Sequence, residues 1–275
     1  MTKMQTQAVY EQRLCAFVDI LGFRDLVQRS LRSLDPLLRQ KQIHQLLQEV
    51  VLARPVWDRD SPVGVIEDRL RKQGVADPKA EAERLVNEYA AAERGSNFSD
   101  SLVLSATLSD RAITGLVTSL LVLSRGLARL GKYARGAVCL GPLCHEQDLC
   151  FGPVLIAAYD MEKRAVFYPR IVFTPEAHAA VAKVQSPSGG PLAPYLREDA
   201  DGQRFLDFLS QVAPDLADTF GAGEMEEIRC ELLRQLSSSQ TSNLVRPKLV
   251  WLARYFNSVL EVAPIAGINP LPFGT

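Results

Sequence analysis

Phe17-Val18-Asp19-Ile20-Leu21-Gly22-Phe23 and Asn97-Phe98-Ser99-Asp100-Ser101-Leu102-Val103-Leu104 are the two stretches that decide the fold of this chain. Each sets one carboxylate in an apolar run that reads as a β-strand. A lone Asp in a buried strand is costly unless something pairs with it. Two such residues point to a shared cation, and through it to the handling of phosphates. Carboxylates are preferred ligands of Mg2+ and Mn2+, and substrate phosphate oxygens fill the remaining positions. Ile20, Leu21, Gly22 and Phe23 lead straight into a helix start, where backbone N–H groups can cradle a polyphosphate. Gly22 would let the chain approach closely.

Working outward, residues 14–20 form a buried strand. An amphipathic helix follows from Phe23, with Leu26, Val27, Leu31 and Leu34 on its apolar side. A second helical stretch carries Leu37, Leu38, Ile43, Leu46, Leu47 and Val50. Residues 55–64 mark a loop. Residues 65–94 read as one or two charged surface helices broken near 74–78. Together they form an insertion at about 56–95. Residues 97–107 read as a hairpin with Asp100 near its tip. Ser109 or Asp110 can cap a long helix closed by Gly131. Residues 133–140 read as a strand ended by Gly141-Pro142. Pro153 opens a helix, 165–174 reads as a strand, and Pro175 opens another helix. A short strand at 204–209 and helices at 224–236 and 248–260 complete the pattern. The tail from Pro264 reads as loosely packed. The order of elements predicts an α+β fold, helices over one mostly antiparallel sheet. The expected division is a core over 1–185 and a helical extension over 186–275 that packs on it.

Composition narrows the function. The 275 residues are 47% hydrophobic and 23% charged, with a net charge of -1. That is an ordinary globular profile with no broad basic face for nucleic acid. The five cysteines include no C-x-x-C pair, which argues for buried reduced thiols. The start has no apolar signal region, and residues 112–123 are too short and too polar to span a bilayer. These features predict a cytoplasmic protein without a membrane partner.

Phe17 to Phe23 resembles the first strand of class III nucleotidyl cyclases, F-x-D-I-x-G-F. Phe98-Ser99-Asp100-Ser101 resembles their metal-bearing hairpin. Tyr133-Ala134-Arg135-Gly136-Ala137-Val138 with Gly141 resembles the R-x-G-I-x-x-G strand. Phe151-Gly152-Pro153-Val154 through Met161-Glu162 is similar to the helix that opens W/Y-G-x-x-V-N. The likeness covers residues 13–180. The usual purine-reading Lys and Asp fall here at Ser96 and Leu149, and Asp148 and Cys150 flank the second position. The usual helix Asn and Arg fall at Ile156 and Asp160. Further details resemble the pyrimidine cyclases of bacterial Pycsar anti-phage systems. They are Tyr159-x-x-Glu162, Tyr168-Pro169-Arg170-Ile171-Val172, Asp201-Gly202 and Trp251-Leu252-Ala253-x-Tyr255-x-Asn257.

The resemblance implies a class III cyclase-like fold and a uridylate cyclase making cyclic UMP, with cytidylate cyclase as the alternative. It implies two Mn2+ or Mg2+ ions held by Asp19, Asp100 and the Ile20 carbonyl. It also implies a homodimer with sites at the interface and a separate effector that responds to the cyclic nucleotide. Arg170 is the expected replacement for the missing transition-state Arg, with Arg135 second. Phe17 is expected to wall the base pocket, and Ser96, Asn97 and Ser99 to meet a pyrimidine edge. Leu21, Gly22 and Phe23 line the phosphate cradle. A silent nucleotide-binding module of the same fold and a metal-dependent phosphohydrolase are the competing readings.

Overall fold

The structure is a computed structural model that describes residues 10–32, 35–41, 44, 62–98, 101–146, 149–185, 190–210, 221–239 and 241–272. Its eight strands are β1 (Glu11–Leu21), β2 (Glu93–Phe98), β3 (Ser101–Thr107), β4 (Tyr133–Glu146), β5 (Leu149–Phe151), β6 (Ile171–Phe173), β7 (Leu196–Glu198) and β8 (Arg204–Leu206). Seven of them run in the order β2-β3-β1-β4-β6-β8-β7, and β5 pairs with β4. Every neighbouring pair is antiparallel except β4 with β6. The eight helices named here are α1 (Phe23–Arg32), α2 (Pro62–Lys72), α3 (Pro78–Ala92), α4 (Asp110–Arg129), α5 (Pro153–Ala165), α6 (Pro175–Ala182), α7 (Ala222–Leu236) and α8 (Arg246–Val262). The fold is α+β, as the order of sequence elements indicates.

β1 sits at the centre because it is apolar on both faces. Leu14, Ala16, Val18 and Ile20 face the main core with Leu102, Leu104, Ala106 and the inner side of α4. Residues alternate along a strand, so Arg13, Cys15, Phe17 and Asp19 face the other way. There Cys15, Phe17, Val103, Cys139, Leu143, Val154 and Ala158 form a smaller cluster under α5. The site lies on this second face.

α4 is long and apolar enough to cross a membrane by length and composition, and 78% of that apolar window is buried inside the fold. Its cap and two of its hydroxyls are satisfied locally, while buried Arg125 donates to the Phe208 and Ser210 carbonyls at 2.6 and 3.2 Å. Ser109 caps the first turn by accepting from the Ala112 N–H at 3.3 Å. The Thr114 and Thr118 hydroxyls donate back to the carbonyls of Asp110 and Thr114 at 2.7 and 2.8 Å, a bond that hides a hydroxyl in a helix. Gly131 closes the helix at φ 69.

Several expected boundaries move. β4 does not stop at Gly141-Pro142 but runs on to Glu146. Pro142 is opposite Gln12, while β6 pairs only with Gly136 to Val138. Pro142 therefore lies where the outer edge of β4 needs no donor from it. Gly141 serves packing instead of a turn, since an added Cβ would meet Val154 Cβ at 3.2 Å. The strand expected over 165–174 shrinks to Ile171–Phe173, because Tyr168, Pro169 and Arg170 bend inward. β2 starts at Glu93, immediately after α3, so the helical insertion ends before residue 95. The sheet does not end at residue 185: β7 and β8 extend it, so the 186–275 segment is not purely helical. α1 buries Phe23, whereas Leu31 is 75% exposed. Helix is described over 36–41, with Leu37 and Leu38 exposed. Ile43, Leu46, Leu47, Val50 and Leu34 lie outside the described residues.

The tail is pinned. The Asn257 side chain accepts from the Leu271 N–H at 2.7 Å and donates to its carbonyl at 2.8 Å. The five cysteines are free thiols. Burial pushes Cys139 and Cys150 up to about 11 and Cys15 higher still, which suits inert packing groups.

Candidate active site

Asp19 pairs across the sheet with Ser101 on one side and Arg135 on the other. Directly opposite residues share a face, so Arg135 projects beside Asp19. Its Nη2 lies 3.4 Å from Asp19 Oδ2. The same nitrogen contacts Glu162 Oε1. Glu162 belongs to α5, whose buried residues are Val154, Ala158 and Glu162. That i, i+4, i+8 stripe faces the sheet, so the helix drives a carboxylate into a packed interface. Glu162 is 1% exposed. Burial pushes its carboxyl above the usual range, Arg135 pulls it back, and Asp19 adds to the rise. Glu162 Oε1 and Arg135 Nε have no aligned hydrogen-bond partner.

Two lysines join this group from other elements. Lys248, on α8, has its ammonium lowered by burial and by Arg135, while Asp19 and Glu162 act in the opposite direction. Its Nζ lies 5.6 Å from the Phe167 ring centre. Lys163, on α5, is raised first by Tyr159 and also by Glu162 and Asp19. Its Nζ stands 4.8 Å from the Tyr159 ring centre. Arg135 contacts both carboxylates, and Lys163 and Lys248 lie near enough to feel them electrostatically. The sequence marks Glu162 through the Tyr159-x-x-Glu162 resemblance and the helical stripe. Nothing local marks Lys248.

Other expected residues fall as follows. Ile20 is opposite Ala134 in the sheet and its side chain is buried in the main core, so only its carbonyl could reach a ligand. Gly22 takes φ 85 at the turn into α1, a left-handed conformation that glycine supplies without strain. Leu21 is half-buried, and Phe23 is a core residue rather than a lining of the cradle. Phe17 is also a packing residue. It is 9% exposed, with its ring edge-on to Tyr159 at 5.3 Å, and the exposed ring is Tyr159 at 40%. Ser96 is half-buried and lies on the Asp19 face, because it pairs with Val103, which pairs with Phe17. Asn97 is opposite Leu102 in the sheet. Ser99 and Asp100 lie outside the described residues.

The structure gives Arg170 a different role from the expected one. Its guanidinium is 1% exposed and engages Asp199 and Asp201. It also donates to Gln203 Oε1 at 3.2 Å. It lies 5.5, 5.7 and 5.9 Å from the ring centres of Tyr168, Trp251 and Phe205. Trp251 Nε1 donates to Asp199 at 2.9 Å. This knot joins α8 to the β6–β8 end of the sheet, and its charge is spent there.

The donors around Asp19 suit a hard divalent cation. They are the carboxylate oxygens of Asp19 and of the buried Glu162, which Arg135 contacts. No group of three His, Cys, Asp or Glu among the described residues forms a complete cage. Such an ion would complete its shell with phosphate oxygens and water. Surface hollows lined by Tyr168, Arg246 and Trp251 and by Leu260, Ile265 and Leu271 do not include Asp19.

No family model matches the chain. No curated protein matches it. Among solved structures, the chain is similar to the crystal structure of the catalytic core of a rhodopsin-guanylyl cyclase with converted specificity in complex with ATPalphaS. The identity is 12% and the TM-score 0.36, covering 72% of this chain and 95% of that chain. A TM-score so low decides nothing about this chain.

Proposed function

We propose that this chain is a nucleotidyl cyclase. It converts a pyrimidine nucleoside triphosphate, UTP before CTP, into the 3′,5′-cyclic nucleotide and pyrophosphate. The observation that carries the reading is Asp19 on the sheet face, flanked by Arg135, Glu162, Lys163 and Lys248. The motif order of the sequence supports it.

A bound divalent cation supplies charge neutralisation and lowers the pKa of the ribose 3′-hydroxyl. Asp19, with Asp100 and the Ile20 carbonyl, would hold it. Arg135 replaces Arg170 as the guanidinium that meets developing phosphate charge. Arginine suits this task because it is planar and always charged. Glu162 keeps that guanidinium at the sheet face. Lys163 and Lys248 balance the triphosphate. Positioning and electrostatics supply the catalysis. The active form is a homodimer, and the product acts on a separate effector in anti-phage defence.

One observation favours a second reading. Arg135 lies against Asp19, as it would in a silent module that binds nucleotide without metal chemistry.

The test is a product assay. The purified protein is incubated with Mn2+ and each ribonucleoside triphosphate, with Asp19→Ala and Asp100→Ala in parallel. The expected result is cyclic UMP or cyclic CMP by mass spectrometry, reduced at least 100-fold in both variants, an effect on the order of 3 kcal/mol. Nucleotide binding without any cyclic product selects the silent module.

A further inference from the structure

α8 carries two arginines that its own sequence leaves without partners. The arginines on the surface of α2, α3, α5 and α7 pair with acids one turn away. Arg71 does so with Glu67, Arg84 with Glu81, Arg164 with Asp160, Arg229 with Glu226 and Arg234 with Glu231. Such i, i+3 and i, i+4 pairs offset charge along a helix surface. At those spacings Arg246 has Ser242, Asn243, Leu249 and Val250, and Arg254 has Val250, Trp251, Asn257 and Ser258. None of these is acidic. Neither guanidinium has an ion pair or a hydrogen bond with another described residue.

Both arginines are exposed. Both line one hollow of about 530 Å3, together with Tyr168, Asn243, Val250 and Trp251. Among the described residues, no acid lines it. Its volume falls within the roughly 300–1,000 Å3 of small-molecule sites. Arg246, Val250 and Arg254 follow i, i+4, i+8 and form one stripe. Leu249, Leu252, Ala253 and Phe256 hold the other side of α8 in the core. Along the helix the two arginines are about 12 Å apart, eight residues at 1.5 Å each.

The rest of the hollow narrows what it can take. A guanidinium grips phosphate through two parallel N–H···O bonds. Two guanidiniums two turns apart are better matched by a row of phosphates than by one. The aromatic wall is already used inside the fold. Trp251 stacks on Tyr168 at 5.4 Å and on Tyr255 at 5.5 Å, and its Nε1 is bonded to Asp199. Recognition therefore falls on phosphates and not on a base. The first amides of α8 are taken too: Arg246 N–H donates to the Ser242 carbonyl, and those of Lys248 and Leu249 donate to the Val245 carbonyl. Side chains hold the anion.

We propose that this hollow is an anion site, separate from Asp19, in which Arg246 and Arg254 clamp a polyphosphate chain. The chain belongs to an inorganic polyphosphate or to the tail of a nucleotide. The guanidiniums supply the positive charge, so binding needs no divalent cation and does not depend on the cyclase reading.

The experiment is isothermal titration calorimetry on the full chain in EDTA, with inorganic triphosphate as the probe. EDTA withholds the cation that Asp19 would need. Triphosphate is expected to bind, and orthophosphate to bind about tenfold more weakly. Arg246→Ala and Arg254→Ala each weaken triphosphate about tenfold, with the melting temperature unchanged. Arg246→Lys and Arg254→Lys keep the charge, lose the fork, and recover only part of the affinity. Arg229→Ala, which removes a charge elsewhere, and Arg135→Ala leave binding unchanged. UTP in the same buffer separates the sources: affinity equal to triphosphate assigns the nucleotide tail, and much weaker binding assigns the free polyphosphate. No binding in EDTA overturns the proposal, as does undiminished binding in the double variant Arg246→Ala/Arg254→Ala. An equal loss in Arg229→Ala overturns it as general charge attraction, and a loss in Arg135→Ala alone overturns it by placing the anion at Asp19.

Discussion

His145 sits between two hydroxyls, with Arg13 and Arg94 adding to the cost of charging its ring. Its folded pKa is lowered from 6.5 to about 4. Between those values the unfolded chain binds a proton that the folded chain refuses. The stability from this group is therefore complete above pH 6.5 and is lost as pH falls toward about 4. The slope is about 1.4 kcal/mol per pH unit, for a total of roughly 3 kcal/mol. Urea unfolding at pH 7 and pH 4.5 should show wild type losing more stability than His145→Gln. Equal losses would mean that the ring titrates as if exposed. Glu162 works in the other direction. Its carboxyl is raised by burial, so its contribution is greatest at low pH and is lost as pH rises through the raised value. Comparing His145→Gln with wild type separates the two, because Glu162 is present in both.

The pairing of β1 with β4 holds Asp19 and Arg135 side by side. Gly136 is the point of closest approach. An added Cβ would meet the Phe17 carbonyl oxygen at 2.5 Å and Val18 Cα at 3.1 Å. Both are backbone atoms, so the strands must separate to admit it. Gly136→Ala should cost about 1–3 kcal/mol in urea unfolding, the range for overpacking a tight interior. It should also lower turnover beyond the loss of folded protein, because Asp19 and Arg135 shift apart. A stable variant with full activity would show that the strands tolerate the methyl group. Elements also differ in how well their sequence announces them. α4 has its Ser109 cap, its apolar stripe and the Gly131 stop within one local run. β4 has Gly141-Pro142 in its interior. The pair reads as a turn until β1 and α5 are in place to use the proline edge and the glycine gap.

Across the whole molecule, the Arg170 knot ties α8 to the sheet through Asp199, Asp201 and Trp251. Removing Arg170 leaves acids and a cavity where a buried cation stood. Arg170→Ala should cost about 3 kcal/mol and lower the melting temperature by on the order of 10 °C. Activity should fall only as the folded fraction falls. Arg135→Ala should lower turnover beyond the loss of folded protein, with a smaller fall in melting temperature, since Arg135 is 22% exposed although it is the partner of the buried Glu162. Thermal melts and kcat for the two variants provide the check. Equal effects on both readouts would merge the two arginines into one structural class.

The amino-acid sequence alone determined the central strand bearing Asp19, the hairpin around residue 100, the helix caps, and the α+β order. Apolar periodicity, Gly, Pro and Ser act over a few neighbouring residues, so these features are written locally. It named Ser96 as a candidate and ranked Arg170 ahead of Arg135. Only the tertiary structure decided that Arg170 is consumed by acids about thirty residues further along the chain, that Phe17 is covered by Tyr159, and that Arg135 joins Asp19 to Glu162. It alone placed His145 between Ser105 and Ser96. A charge or a hydroxyl acquires its role from the partner it finds. Those partners come from strands and helices far apart in the sequence, brought together by the burial of the apolar faces between them.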